Sequence, residues 1–178
     1  MRGLIGEKLK HSFSPEIHNF FGDGDYKLFE LKREELGEFI KRKDVTGFNV
    51  TVPYKKDIMS YLDVVDETAK RIGAVNTVVK KDGKSYGFNT DYYGLKYLFA
   101  HNGVSLSGKK ALILGSGGAS AAAETLLKDE NVDYKIVSRT GKVNYENVYE
   151  LKDTEIIINA TPVGMYPQGE GLLIDLAK

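Results

Sequence analysis

Apolar and polar residues alternate most cleanly at Gly47-Phe48-Asn49-Val50-Thr51-Val52, with Phe48, Val50 and Val52 on one face and Asn49 and Thr51 on the other. That period of two predicts a strand with one buried and one polar face. Pro53 cannot donate to a sheet ladder, but its fixed φ suits the first turn of a helix. Such a helix would carry Ile58, Met59 and Leu62 on one side, and Lys55 would share that side. Lys56 would not. A lysine placed there meets the positive end of the helix dipole and is partly desolvated, and both disfavour its charge and suit acid–base use. Taken alone, the stretch also describes a lysine that snorkels to water.

Leu4-Ile5-Gly6 and Tyr26–Leu31 read as further short strands. Between them Ser14-Pro15-Glu16 predicts a helix start, with Ser14 as N-cap and Ile17, Phe20 and Phe21 ahead of a stop at Gly22. Ser12 and Ser14 flank Phe13 and can present two hydroxyls side by side, although capping and loop termination use serines too. Leu36, Phe39 and Ile40 mark the next helix, and residues 66–72 a short one ending at Gly73. Residues 74–79 and 85–88 form a hairpin around Asp82-Gly83. Asn89-Thr90-Asp91 then opens a helix carrying Leu95, Leu98 and Phe99, which stops at Asn102-Gly103. Asp91 is favoured at that N-terminus, as a plain cap would also be.

Beyond residue 104 the pattern changes, which predicts two domains, 1–104 and 105–178. Lys110–Leu114 is a continuous apolar strand, as expected where both faces are covered. Gly115-Ser116-Gly117-Gly118-Ala119-Ser120 and an alanine-rich helix follow. Two more buried strands are predicted at Tyr134–Ser138 and Glu155–Asn159. Repeated β-α-β with a glycine-rich first turn points to a parallel sheet that binds a dinucleotide. Gly115 allows the tight turn, Gly117 lets a pyrophosphate approach, and the helix start offers free N–H groups. A glycine turn that merely joins strand to helix has the same look, and the third fingerprint position is Ser120 instead of glycine. An NAD site would place an acid at the end of the second strand. This chain has Ser138-Arg139-Thr140-Gly141-Lys142 there, which fits a 2′-phosphate and selects NADP, unless Arg139 and Lys142 are ordinary surface cations. Asn159–Met165, with Thr161, leaves the third strand at the end where such sheets bind ligands.

Composition removes several alternatives. Lys+Arg and Asp+Glu are both 25 in 178 residues, so the net charge is zero and no basic stripe suggests nucleic acid. There is no cysteine, and the three histidines show no metal-ligand spacing. No apolar run reaches membrane-span length, and the first residues lack the apolar core of a signal peptide. A cytoplasmic protein without metal or membrane partner is expected.

Seven segments, in order, resemble the shikimate dehydrogenases: His11–Pro15, Asn49–Lys55, Gly73–Thr77, Asn89–Asp91, Gly115–Ser120, Ser138–Thr140 and Asn159–Met165. The resemblance runs from Met1 to about Asp175. It implies an α/β chain, with an N-terminal α/β substrate domain on a mostly parallel sheet and then an incomplete Rossmann-like NADP-binding domain. It implies reversible NADPH-dependent reduction of 3-dehydroshikimate to shikimate, by a monomer or homodimer. Lys55 and Asp91 would be the catalytic pair. Ser12, Ser14, Asn49, Thr51 and Asn76 would hold the substrate. Gly115, Ser116, Gly117, Gly118, Ala119, Ser138, Arg139, Thr140, Lys142 and Thr161 would hold NADP, with Glu67 near the cofactor. Three departures stand out: Ser138 replaces an asparagine, the link from Thr140 to Glu155 is short, and family members continue beyond the equivalent of Lys178. The last leaves room for an alternative, a non-catalytic module that only binds shikimate.

Overall fold

The computed structural model describes residues 1–10, 12–22, 24–165, 169 and 171–176. His11, part of the paired-serine segment, lies outside them. The chain forms two compact units, Met1–Thr90 and Asp91–Lys178.

The first unit runs β1 (Arg2–Gly6), α1 (Ser14–Phe20), β2 (Tyr26–Glu30), α2 (Leu36–Lys41), β3 (Gly47–Val50), β4 (Val64–Val65), α3 (Glu67–Ile72), β5 (Thr77–Lys81) and β6 (Lys84–Phe88). Its six-stranded sheet has the order β2-β1-β3-β5-β6-β4. β1 pairs parallel with β2 and β3, β4 pairs parallel with β6, and β5 is antiparallel to both neighbours. The hairpin turn uses Asp82 and Gly83, both at positive φ (51° and 74°), as a two-residue primed turn requires. Asp66 caps α3 by accepting from the Thr68 and Ala69 amides, and Gly73 ends it at φ 70°. The core gathers Ile5, Leu36, Phe39, Val45, Phe48, Val50, Tyr54 and Ile58.

Two expectations fail here, each for a physical reason. No α-helix follows Pro53. The Val52–Pro53 peptide is cis, residues 52–56 are turns, and a short 3-10 helix spans Asp57–Tyr61. Tyr54 organises this segment. Its ring is buried, its hydroxyl donates to the Leu31 carbonyl at 2.5 Å, and its amide donates to the Thr51 carbonyl at 2.9 Å. Val52 is left exposed, and the helix dipole expected beneath Lys55 is not there. Lys55 is nonetheless half-buried and Lys56 exposed. Second, Ser14 does not cap α1 but is its first residue. Phe13 stands at the cap position without a side-chain bond, and it is the Ser12 hydroxyl that accepts from the Ser14 amide at 3.2 Å. Ile17, Phe20 and Phe21 are exposed, and α1 is tied to the sheet through His18, whose ring stacks on Tyr26 at 3.8 Å.

Helix α4 (Thr90–His101) opens at the junction of the units, followed by β7 (Lys110–Leu114), α5 (Gly118–Asp129), β8 (Asp133–Val137) and β9 (Ile156–Asn159). The order is β8-β7-β9, all parallel, with Leu114 level with both Val137 and Asn159. β7 is central. Ala111 and Ile113 pack towards Ala123 and Leu127 of α5, and Leu112 and Leu114 towards Val148 and Ile174. That two-sided cover explains its unbroken apolar run. β8 departs from the expected burial, because it is an edge strand whose Asp133 and Lys135 face water. The short link to β9 holds a β-bridge from Val143 to Val137 and a 3-10 turn, Val148–Glu150, braced by Asn144 and Asn147.

Candidate active site

In the first unit, the expected substrate residues collect at one end of the sheet. β1 and β3 are parallel and β5 is antiparallel to β3, so the C-terminal ends of the first two meet the N-terminal end of the third. Asn49 lies opposite Thr77 in that register. The Tyr26 hydroxyl donates to Asn49 Oδ1 at 2.7 Å, and Asn49 Nδ2 donates to Thr77 Oγ1 at 3.1 Å. Asn76 is buried. Its Oδ1 accepts from the Thr77 hydroxyl (3.0 Å), the Thr90 amide (2.9 Å) and the Thr90 hydroxyl (3.1 Å). The Asn76 carbonyl accepts from the Val50 amide at 2.8 Å, which locks β3 and the start of β5 side by side. A buried polar network of this kind fixes its members, because an unpaired polar atom there is costly.

Thr51 follows directly, its amide bonded to the Ile5 carbonyl at 3.0 Å. Its methyl lies so close to Gly6 that a Cβ on the glycine would sit 2.8 Å away. Ser12, on the loop after β1, and Ser14, the first residue of α1, are half-buried, and the loop is held by the Leu9 amide donating to Glu30 at 2.8 Å and the Ser12 amide to Leu9 at 3.1 Å. Lys55 is tethered through its backbone. Its carbonyl accepts from the Val75 amide at 2.7 Å, one residue before Asn76. Burial pushes the Tyr54 phenol beside it up from its usual range. Glu67 stands apart, exposed in the first turn of α3 and paired with Lys70 at 2.5 Å.

Tyr26, Tyr54, Thr77 and Thr90 hold this arrangement, and local pattern did not single them out. The one available signal was that a buried tyrosine hydroxyl must find a partner.

In the second unit, Asp91 is half-buried in the first turn of α4. The three expected cofactor segments leave β7, β8 and β9 at the same level of the sheet. Gly115 has φ 109°, its amide donates to Val137 at 2.8 Å, and a Cβ there would sit 2.9 Å from Thr161 Cγ2 and 3.1 Å from the Ala160 carbonyl oxygen. Only glycine fits that contact. Asn159 stiffens the third segment, accepting from the Thr161 amide (3.0 Å) and hydroxyl (2.7 Å) and donating to the Val163 carbonyl (2.9 Å). Ser138 turns the chain after β8, its carbonyl accepting from Gly141 at 3.3 Å, and Arg139, Thr140 and Lys142 are exposed. The α5 N-terminus begins at Gly117 without a side-chain cap or an acid in its first turn, and Ser116, Gly117 and Ala119 are exposed. Ser120 is buried, so its small hydroxymethyl group is accommodated where the fingerprint has glycine. A positive-φ glycine turn, uncapped helical N–H groups and cations without an acid at the end of β8 are a donor set that fits a phosphorylated dinucleotide.

Comparison with known proteins settles the family. A family model for the shikimate dehydrogenase substrate binding domain matches residues 4–78. A relative named shikimate dehydrogenase (NADP(+)), from Clostridium beijerinckii, is 46% identical over 93% of this chain and 69% of its own. The chain belongs to the shikimate dehydrogenase family. The crystal structure of shikimate dehydrogenase 1 from Peptoclostridium difficile is 43% identical, with a TM-score of 0.83 over 98% of this chain and 71% of that one. A Thermus thermophilus shikimate 5-dehydrogenase, solved with NADP(H) and shikimate, is 32% identical with a TM-score of 0.81, covering 92% of this chain and 69% of that one. As in this family, an N-terminal α/β unit precedes a Rossmann-like one. Among the described residues no helix is long and apolar enough to cross a membrane.

Proposed function

We propose that this chain catalyses the reversible, NADPH-dependent reduction of 3-dehydroshikimate to shikimate. The observation that carries the reading is the pairing, in a shikimate dehydrogenase family chain, of the Tyr26-Asn49-Thr77-Asn76 network with a glycine turn that only glycine can form at Gly115. On this reading the enzyme works in the cytoplasm on small molecules alone, as a monomer or homodimer.

Ser12 and Ser14 hold the substrate carboxylate, and Asn49, Thr51 and Asn76 take its hydroxyls, which orients the carbonyl. Lys55 sits beside Asn76 through its backbone bond to Val75. Its ammonium gives a proton to the carbonyl oxygen as negative charge develops there. Asp91 orients Lys55 and shares the proton. When bound, NADPH supplies the hydride that the carbonyl carbon accepts. Gly115–Ala119 hold its pyrophosphate, Ser138, Arg139, Thr140 and Lys142 its 2′-phosphate end, and Thr161 lines the nicotinamide side. Glu67 is assigned to the cofactor's edge.

The test is a steady-state assay of this polypeptide with shikimate and NADP⁺, followed as NADPH formation, alongside calorimetry of shikimate binding. Turnover is expected. Shikimate binding without turnover would instead support a module that only binds, and absence of both would sink the reading.

A further inference from the structure

The first unit has a cleft of about 800 Å³ at the end of β3 opposite Asn49. It opens between α2, the β5–β6 hairpin and the 3-10 turn at 57–61. Its floor is apolar: Ile40, Val45 and the ring of Tyr61. The ring packs against α2 so closely that a Cβ on Gly37 would lie 3.2 Å from Tyr61 Cε1. Its rim is cationic. Lys41, Arg42, Lys43, Lys80, Lys81 and Lys84 line it, against only Asp63 and Asp82.

Part of that charge is already matched. Lys41 pairs with Glu38 at 2.7 Å and Arg42 with Asp44 at 2.6 Å. The rest is not. Lys43, Lys81 and Lys84 make no ion pair among the described residues. Lys80 is half-buried with its ammonium on the Arg42 carbonyl at 2.7 Å, and burial pulls its pKa down. Asp63, whose Oδ2 accepts from the Ser85 amide and hydroxyl, both at 2.7 Å, keeps its charge and offsets part of the cationic charge at Lys84. Cations crowded this way repel one another, and an anion among them relieves that repulsion.

We propose that this cleft is a second ligand site, for a small organic phosphate. Its volume falls in the range of small-molecule sites. A phosphate monoester carries nearly two charges and three acceptor oxygens, which suits a lysine-rich rim. The floor of Ile40, Val45 and Tyr61 takes the organic part. The site lies within residues 37–85, and the dinucleotide segments lie within 115–161, so the two are separate in the chain.

Phenyl phosphate is the probe, titrated calorimetrically into the wild type, Lys81→Gln/Lys84→Gln and Arg139→Gln. Both altered lysines are exposed, so the fold is retained, which thermal melting checks. The proposal expects saturable binding that the double variant weakens about tenfold or more and that Arg139→Gln leaves unchanged. Inorganic phosphate should bind several-fold more weakly, because it does not use the floor. Absence of saturable binding, equal binding by the double variant, or loss in Arg139→Gln instead would each overturn it.

Discussion

The Tyr26 hydroxyl donates to Asn49 Oδ1 across 2.7 Å, and this contact sets which way the Asn49 amide faces. With Oδ1 held by the tyrosine, Nδ2 is directed to Thr77. Tyr26→Phe removes one bond and releases the amide. It should lower stability by about 1 kcal/mol and raise the KM for shikimate several-fold, with a smaller change in kcat. Kinetics and chemical denaturation of the one variant check both parts. An unchanged KM would mean that Asn49 does not position substrate.

Asn76 is the more exacting member. Its Oδ1 receives three donors, two of them from Thr90 at the start of α4. Asn76→Ala leaves those donors without a partner in a buried setting. A loss of about 1–3 kcal/mol is expected in urea unfolding, along with weaker shikimate binding. Asn76→Asp, which keeps the acceptor, should recover part of the stability.

Two glycines of the cofactor turn, Gly115 and Gly117, should behave differently. At Gly115 an added methyl meets Thr161 and Ala160 and the φ is 109°, so Gly115→Ala should weaken both NADP⁺ binding and stability. At Gly117 nothing lies within 4 Å of an added Cβ. Gly117→Ala should therefore melt like the parent yet still weaken NADP⁺, because the methyl takes the space that the pyrophosphate needs. Calorimetry with NADP⁺ beside thermal melting separates the two cases. Normal NADP⁺ binding by Gly117→Ala would remove the turn from the cofactor site.

Acid should weaken the fold through Asp63. The Ser85 amide and hydroxyl hold its carboxyl below the usual carboxylate range. A group whose folded pKa is depressed contributes stability above its unfolded pKa, about 4, and that stability is lost as pH falls through the lower folded value. Asp63→Asn should thus flatten the decline in melting temperature below pH about 4. An identical acid slope in the variant would show that other carboxylates dominate.

Much of this architecture was legible locally. The apolar run of β7, the Asp82-Gly83 hairpin, and α3 between Asp66 and Gly73 all follow from short-range rules, and the structure keeps them. The failures have different causes, one distant and one local. Tyr54 reaches the Leu31 carbonyl, 23 residues back, and turns replace the helix that Pro53 suggested. Ser14 gives up its capping role because Ser12 lies within reach of its amide. The roles of Tyr26, Thr77 and Thr90 are not local either, since each depends on partners brought near by the sheet order β2-β1-β3-β5 and the start of α4. Candidate residues for the site could be named from a resemblance, but the groups that hold them in place could not.

The most direct test of the account is Lys55→Ala, read as kcat for shikimate oxidation against the calorimetric Kd for shikimate. Lys55, which gives the proton in reduction, takes it back in oxidation, and its removal should lower kcat by about 10²–10⁴-fold. The Kd should move by no more than a few-fold, because the proton is needed in the transition state and not for binding. A kcat near that of the parent, or a loss confined to Kd, would contradict the role given to Lys55.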